Sequence, residues 1–540
     1  MPTAERIALL RQVRTRLIAD ADAWVDLAAR RKGLEPDSPL IGEEWSSGPW
    51  VTLLTIDLMI EGLSHLGDPD FVQGFPGRRT RTGQLAVEVF PRSIFDHLLL
   101  SGVKAEIWME PGVDRAGLAA TRGPAAASDP DLREKVSLVL GAGNITSIAP
   151  LDALYKLFTD DSVVLLKLNP VLESLAPVFE RILEPLIKPG FLRIVTGGAD
   201  VGGYLARHPV VQTLHITGSE QSHNAIVYGP GPEGEHRRAE SSPLNFKPIT
   251  SELGGVGPTI VAPGRWTDAD LRFQAEHIAT QKLHNAGFNC IAVQVLILPE
   301  AWKQADAFEH EVRQAIARAA RRPLYYPGTE ERLKAYGDRF AAPTGDRLMA
   351  RLGHDAAADA YAASTEVFGP ALAVVRLSGD TPLAYLQGAA DYANDRLHGG
   401  LAANIVIDPK TERALGAGLE DVVARLRFGT VAINAWSGLG YLLTQTPWGG
   451  WPGQPLNDVQ SGIGFVHNAY MFGAAQRSVV RAPFRPFPRN LLHGEFALLP
   501  RPPWFVTNRN AAKVARGLMD FQARPSWLKL PGIFANALTG

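Results

Sequence analysis

Cysteine is almost absent from this chain: Cys290 is the only one in 540 residues. No intrachain disulfide can form, and a reducing compartment, the cytoplasm, is expected. Charge imbalance is missing too. The 54 basic residues nearly match the 56 acidic ones, which speaks against nucleic acid or an anionic membrane as an obligate partner. Long apolar runs are lacking: no stretch approaches a bilayer span, and the charged, amphipathic N-terminus does not read as a leader peptide. The 13 histidines show no His-x-x-x-His or His-Glu-x-x-His spacing, so no metal site is expected. What remains is a chain of globular composition, too long for one hydrophobic core. At least two domains are expected.

Residues 3–32 and 50–65 carry helical apolar spacing. The run Arg78, Arg79, Arg81 reads as a solvated loop, with an anion site as the alternative. An apolar helix and then a strand are predicted over 94–110, and 111–134 reads as a loop or protruding hairpin. From Val136 onward strand and helix patterns alternate. Strands fall at 136–140, 163–167, 192–195 and 213–216, and glycine turns follow several of them. Such alternation implies a mostly parallel sheet with right-handed crossovers, and glycine turns at strand ends let a pyrophosphate approach backbone N–H groups. Tight turns use glycine anyway, so the pattern alone leaves cofactor binding open. Residues 229–246 read as an exposed polar hairpin or loop. Arg313, Arg318, Arg321 and Arg322 read as the solvated face of a helix over 302–321.

Cys290 lies on a turn between a helix ending near 285 and an apolar, β-branched strand over 291–298. A thiol there is either a small buried hydrophobe or a nucleophile whose thiolate backbone N–H groups stabilise. Asn285-x-Gly287-x-x-Cys290 resembles the nucleophile motif of the aldehyde dehydrogenase superfamily. Ser251-Glu252-Leu253-Gly254-Gly255, whose Glu252 lies 38 positions before the cysteine, resembles that family's general-base motif. Thr365-Glu366-Val367-Phe368-Gly369-Pro370 is a third match, and the late segments at 429–434 and 446–450 are further ones.

The resemblance spans 136–480, and its main motifs stand in family order. It implies an α/β fold: a Rossmann-type parallel-sheet cofactor domain, a second α/β catalytic domain and a small oligomerisation arm. The expected boundaries are 1–252 for the N-terminal helices and dinucleotide domain with an arm near 111–134, and 253–454 for the catalytic domain carrying Cys290. Residues 455–490 would return to the cofactor domain and supply the oligomerisation strand, and 491–540 would form an extension packed across a subunit interface. The implied catalytic residues are Cys290 as nucleophile, Glu252 as general base and Asn144 as oxyanion donor. The implied cofactor contacts are Lys167, Gly198, Gly218, Ser219, Gly254, Glu366 and Phe368, and the cofactor is NAD or NADP. Pro170 stands where NAD-preferring members often carry a glutamate, so nothing there would repel a 2′-phosphate, and the reading leans to NADP tolerance. Ala142-Gly143 replaces the family's usual Pro-Trp, and 451–460 is inserted before Ser461-Gly462-Ile463-Gly464.

The activity so implied is oxidation of an aldehyde to a carboxylate through a Cys290 thioester, in a homodimer or homotetramer. Two alternatives stay open: an acyl-thioester reductase or CoA-acylating relative, and a catalytically idle family member. Phe288, Trp436 and Tyr441 suggest an apolar substrate, aromatic or aliphatic, although the same rings would serve equally as core.

Overall fold

Apolar β-branched runs bounded by glycine turns become two sheets. The computed structural model describes residues 1–123, 135–340, 347–353 and 355–540. The first sheet has six strands in the order Gly462–Ile463, Ile249–Leu253, Thr213–Gly218, Val136–Leu140, Val163–Lys167, Leu192–Val195. All its pairs are parallel except the outermost, where Gly462 opposes Glu252. Helices Ile148–Phe158 and Ala176–Ile187 bury Leu154, Phe158, Phe179 and Leu183 in the core beside it. Burial by helices is why its central strands read as continuous apolar runs rather than alternating ones.

The second sheet has ten strands and is parallel from Leu348–Arg351 through Thr430–Ile433 to Ala475–Arg481. It then continues antiparallel through Lys104–Met109, Leu85–Phe90 and Gly77–Arg79. The strand expected to serve oligomerisation therefore has both edges paired within its own chain.

The long N-terminal helix Thr3–Arg31 buries Leu10, Val13, Leu17 and Trp24. Past it, Ile41–Trp45 leads through a π-helical turn, Ser46–Trp50, into Val51–Ser64. The extension packs against its own chain. Its helix Ala511–Ala523 lies so close on Ile41–Trp45 that a Cβ on Gly42 would overlap the Ala511 carbonyl. Arg485 fastens the start of the extension by donating to both oxygens of the buried Asp270 at 2.9 Å.

Three other expectations change. Gly231–Ala239 is a helix, not a loop. Its polarity hid it, but Glu233 and Arg237 pair one turn apart at 2.9 Å, and an all-polar helix needs such pairs. Arg78 and Arg81 are neither free nor an anion site, since they pair with Glu106, Glu420 and Asp421. The expected arm contains the helix Arg115–Thr121, and residues 124–134 lie outside the described residues. No described helix is long and apolar enough to cross a membrane.

Candidate active site

The helix Asp268–Leu283 starts with a capping box from Thr267 and Asp270 and runs straight into the turn at 284–290. In that turn Asn285 and Ala286 adopt left-handed backbone angles, φ 53° and 56°. Asparagine tolerates this conformation; alanine there costs about 1–2 kcal/mol. The surroundings hold the turn in place. The Asn285 N–H donates to Glu43 Oε2 at 2.8 Å, and its side-chain Oδ1 accepts from Lys32 Nζ at 2.7 Å. Its Nδ2 donates to the carbonyls of Phe288 and Asn144 at 3.0 and 3.2 Å. The Tyr325 hydroxyl sits 3.0 Å from Asn285 Oδ1 and from the Asn144 carbonyl.

Behind Glu43 stands Arg322, which donates through Nη2 at 2.6 Å; its side chain is only 6% exposed. Arg322 is thus not part of a solvated face. Lys32 also pairs with the buried Glu44. Burial opposes ionisation of Glu43, but Arg322, His284 and the Asn285 N–H outweigh it and hold the carboxyl at about 2. Lys32, Glu43, Glu44, Arg322 and Tyr325 lay in no motif. A charged residue reveals its partner only in three dimensions, and 279 positions separate Glu43 from Arg322.

The other side of the turn faces an apolar cavity. Ser46, Ser47, Asn144, Ile145, His284, Cys290, Trp436, Tyr441, Leu442 and Trp504 are among the residues around it. Asn144 Nδ2 donates one N–H to the Phe288 carbonyl at 2.9 Å. Tyr441, expected near the substrate, does line the cavity, with its hydroxyl 2.7 Å from Ser147 Oγ. Trp436 lines it as well. Phe288 does not. It is fully buried and packs on Tyr325, Tyr326 and Phe368.

Glu252, next to last in the strand Ile249–Leu253, lies beside Cys290, 3% exposed, and its Oε1 has no hydrogen-bond partner. Burial pushes its carboxyl up to about 8, and the charges of Asp152 and Glu366 push the same way, while the Cys290 thiol and the Trp448 indole pull it back. The Cys290 thiol is raised well above its usual value, by burial first and then by Glu252; its own backbone N–H acts in the opposite direction. The thiol's partial exposure opens onto the cavity, so it does not relieve this desolvation. At neutral pH the two groups therefore rest as a neutral pair, in which Glu252 makes the thiol harder to ionise while the thiol eases ionisation of the carboxyl.

Lys167, Gly198, Ser219 and Gly254 stand at or just beyond the carboxyl ends of four strands of the first sheet, and Gly218 is the last residue of one of them. This is where open α/β sheets bind ligands. Gly198 opens the helix Ala199–Arg207, and Ser219 caps Glu220–Val227 by accepting the Ser222 N–H at 3.1 Å. Lys167 is buried; desolvation lowers its pKa, and Glu173 and Asp200 oppose that. Those carboxylates correct the expectation of an uncharged ribose corner: Glu173, three residues after Pro170, accepts the Gly197 N–H at 2.7 Å. Glu366 lies against Gly254, where a Cβ would overlap its carboxylate, and its Oε1 is unpartnered. Burial raises Glu366 to about 7, against the pull of the Gly255 N–H and Lys282. Phe368 packs on Tyr326 with ring centroids 5.0 Å apart. Lys282, missed from sequence, is fully buried, and desolvation lowers it to about 7 against the attraction of Glu366. A glycine-rich rim, a buried ammonium group and an orphaned carboxylate oxygen suit a dinucleotide with ribose hydroxyls. Among the described residues no three His, Cys, Asp or Glu side chains are placed to share a metal ion.

Residues 162–323, which include Glu252 and Cys290, match the model of the aldehyde dehydrogenase family. The segment that carries both residues is thus similar to this family. Among relatives, it is 29% identical to a 4-(hydroxymethyl)benzenesulfonate dehydrogenase of Comamonas testosteroni, over 54% of this chain and 58% of that one. It is 26% identical to a geranial dehydrogenase of Castellaniella defragrans, over 48% and 52%. The alignments thus span little more than half the length of these relatives. The fold is similar to that of a Mycobacterium tuberculosis aldehyde dehydrogenase solved with NAD+, with a TM-score of 0.56 at 18% identity, covering 90% of this chain and 86% of that one.

Proposed function

We propose that this chain acts as an aldehyde dehydrogenase and oxidises an apolar aldehyde to its carboxylate. The observation that carries this reading is the placement of a lone thiol and an amide donor on one apolar cavity, with a buried carboxyl group against the thiol. In the fraction of molecules with Glu252 ionised, its carboxylate accepts the thiol proton and the Cys290 thiolate attacks the aldehyde carbon. The developing oxyanion is met by the free N–H of the Asn144 amide and by the Cys290 N–H. A bound nicotinamide dinucleotide supplies the hydride acceptor, held by Lys167, Ser219 and Glu366. Once that proton has passed to solvent, Glu252 takes a proton from water, whose oxygen attacks the thioester carbon; Cys290 leaves as the thiolate and the acyl group departs as a carboxylate. A carboxyl group poised at about 8 suits proton exchange near neutral pH. The reduced thiol this chemistry needs suits a cytoplasmic setting.

Glu173 and Asp200 beside Lys167 favour NAD over NADP, because a 2′-phosphate would meet both carboxylates. Glu173→Gln is expected to narrow the difference in Kd by about three- to fivefold, the size of a partly screened charge interaction. Titration of each dinucleotide against tryptophan fluorescence reads this directly.

The test of the reaction follows nicotinamide reduction with an aldehyde panel, with and without coenzyme A. Reduction that requires Cys290 and proceeds without coenzyme A supports the reading. Turnover only with coenzyme A moves the protein to the acyl-transferring relatives. No reduction with any aldehyde defeats the proposal.

A further inference from the structure

Beyond the Cys290 cavity lies a second, larger chamber that the reaction as described does not use. It encloses about 1860 Å³ of space not filled by atoms, its open mouth included. Three separate parts of the chain wall it: the N-terminal helices with Trp50 and Leu54, the short helix Ile94–Leu99, and the C-terminal extension with Leu518, Phe521, Ile533 and Phe534. The two spaces share a waist, because Ser46, Leu442 and Trp504 line both. The π-helical turn Ser46–Trp50 puts residues on both sides of that waist, and such turns are frequent at functional sites.

Most polar groups that reach this chamber are already engaged; Gln445 is the exception, its buried Oε1 having no hydrogen-bond partner. Asp57 accepts from Arg14 Nε at 2.6 Å and from Gln522 Nε2 at 2.8 Å. Glu61 accepts from the Tyr470 hydroxyl at 2.9 Å. Asp96 accepts the N–H groups of Arg92 and Ser93, both at 2.9 Å, and the Arg92 guanidinium lies 4.0 Å from the Phe75 ring centroid. Apart from that one amide the remaining wall is aliphatic and aromatic, and it rewards apolar surface.

We infer that the chamber takes the chain of the substrate: an aldehyde with an extended, unbranched alkyl tail, whose carbonyl passes the Ser46–Leu442–Trp504 waist to reach Cys290. This rests on the proposed aldehyde oxidation for its chemistry, but the chamber can be tested without it. The extension from Leu499 onward then has a role in binding, as the wall that makes room for the tail.

The full-length Cys290→Ala chain is titrated with unreactive 1-alkanols from butanol to decanol, read by tryptophan fluorescence, since Trp50 and Trp504 face the chamber. Kd is expected to fall about three- to fourfold per added methylene. In the wild type, kcat/KM for the matching n-alkanals is expected to climb with the same slope. Leu518→Trp and the milder Ala515→Leu are expected to flatten both slopes by filling the chamber. Flat slopes in the unsubstituted chamber, or slopes that neither substitution changes, overturn the inference. Alkanol binding that steepens with chain length, but with no aldehyde oxidised, upholds the chamber and defeats the proposed reaction. Oxidation of every aldehyde with one kcat/KM does the reverse.

Discussion

The two sides of the nucleophile turn are built from opposite materials. Behind it, Lys32, Glu43, Glu44, Arg322 and Tyr325 form a buried polar lattice in which the Asn285 N–H and Oδ1 are both satisfied. In front of it, the cavity wall is apolar, and buried polar atoms at or near it are left without partners, among them Glu252 Oε1 and Trp436 Nε1. An unsatisfied buried polar atom costs about 1–3 kcal/mol. A fold that satisfies the back and leaves the front wanting has directed its hydrogen bonding to geometry on one side and to reactivity on the other. Changes in front should therefore alter rate and titration, and changes behind should alter stability first.

The largest expected effect is in front. Cys290→Ala should lower turnover on the order of 10⁴-fold or more, since the covalent step loses its nucleophile. Its denaturant midpoint should stay near that of wild type. A midpoint that collapsed with activity would put Cys290 on the structural side of the comparison.

Glu252→Gln comes next. Steady-state oxidation should fall about 10²- to 10⁴-fold, stalling with the acyl group on Cys290. The same substitution should make the thiol easier to ionise. The charge and hydrogen bonding of Glu252 both raise the Cys290 pKa, so removing them shifts the pH profile of iodoacetamide alkylation towards lower pH. An unmoved alkylation profile would show that the two groups do not couple.

Behind the turn, Glu43→Gln strands Arg322 in a buried position. Removing one partner of such a pair costs about 3–5 kcal/mol, read as a lower urea midpoint. The folded carboxyl lies at about 2, below its ordinary value of 4.5. Its contribution is therefore complete above about 4.5 and fades as pH falls towards 2. Wild type should lose stability through that window more steeply than Glu43→Gln. A drop in turnover without a drop in stability would contradict the division between back and front.

Much of this front could be read in the sequence, and little of the back. Cys290, Glu252, Asn144 and Glu366 fall in short motifs whose order along the chain is preserved, and the strand–glycine rhythm from Val136 to Gly218 marked the first sheet. Local periodicity sets both. Arg322 read as solvated because arginine usually is, and the carboxylate that buries it comes from a helix with no motif. Phe288 read as substrate-facing because it neighbours the thiol in sequence; the left-handed turn sends its ring to the aromatic core instead. The extension had no pattern to read because its partner surface, Ile41–Ser64, belongs to the same unmatched N-terminal region.

The smallest expected effect tests whether the front tunes protons through single, uncharged contacts. Trp448 is 1% exposed, packs edge-on to Tyr441 with centroids 5.6 Å apart, and holds the Glu252 pKa down through its indole. Trp448→Phe keeps an aromatic ring there and removes the N–H. Glu252 should then titrate higher than about 8, because a donor that favours its ionised form is gone. The group gains no charge partner in exchange, so the alkaline rise of the acyl-release rate should move up by about half a pH unit, with kcat at high pH little changed. Stability should fall modestly, by about 1–2 kcal/mol, from the smaller ring. If the pH profile stays put while stability drops, Trp448 belongs with the packing of the back, and the tuning of Glu252 rests on burial alone.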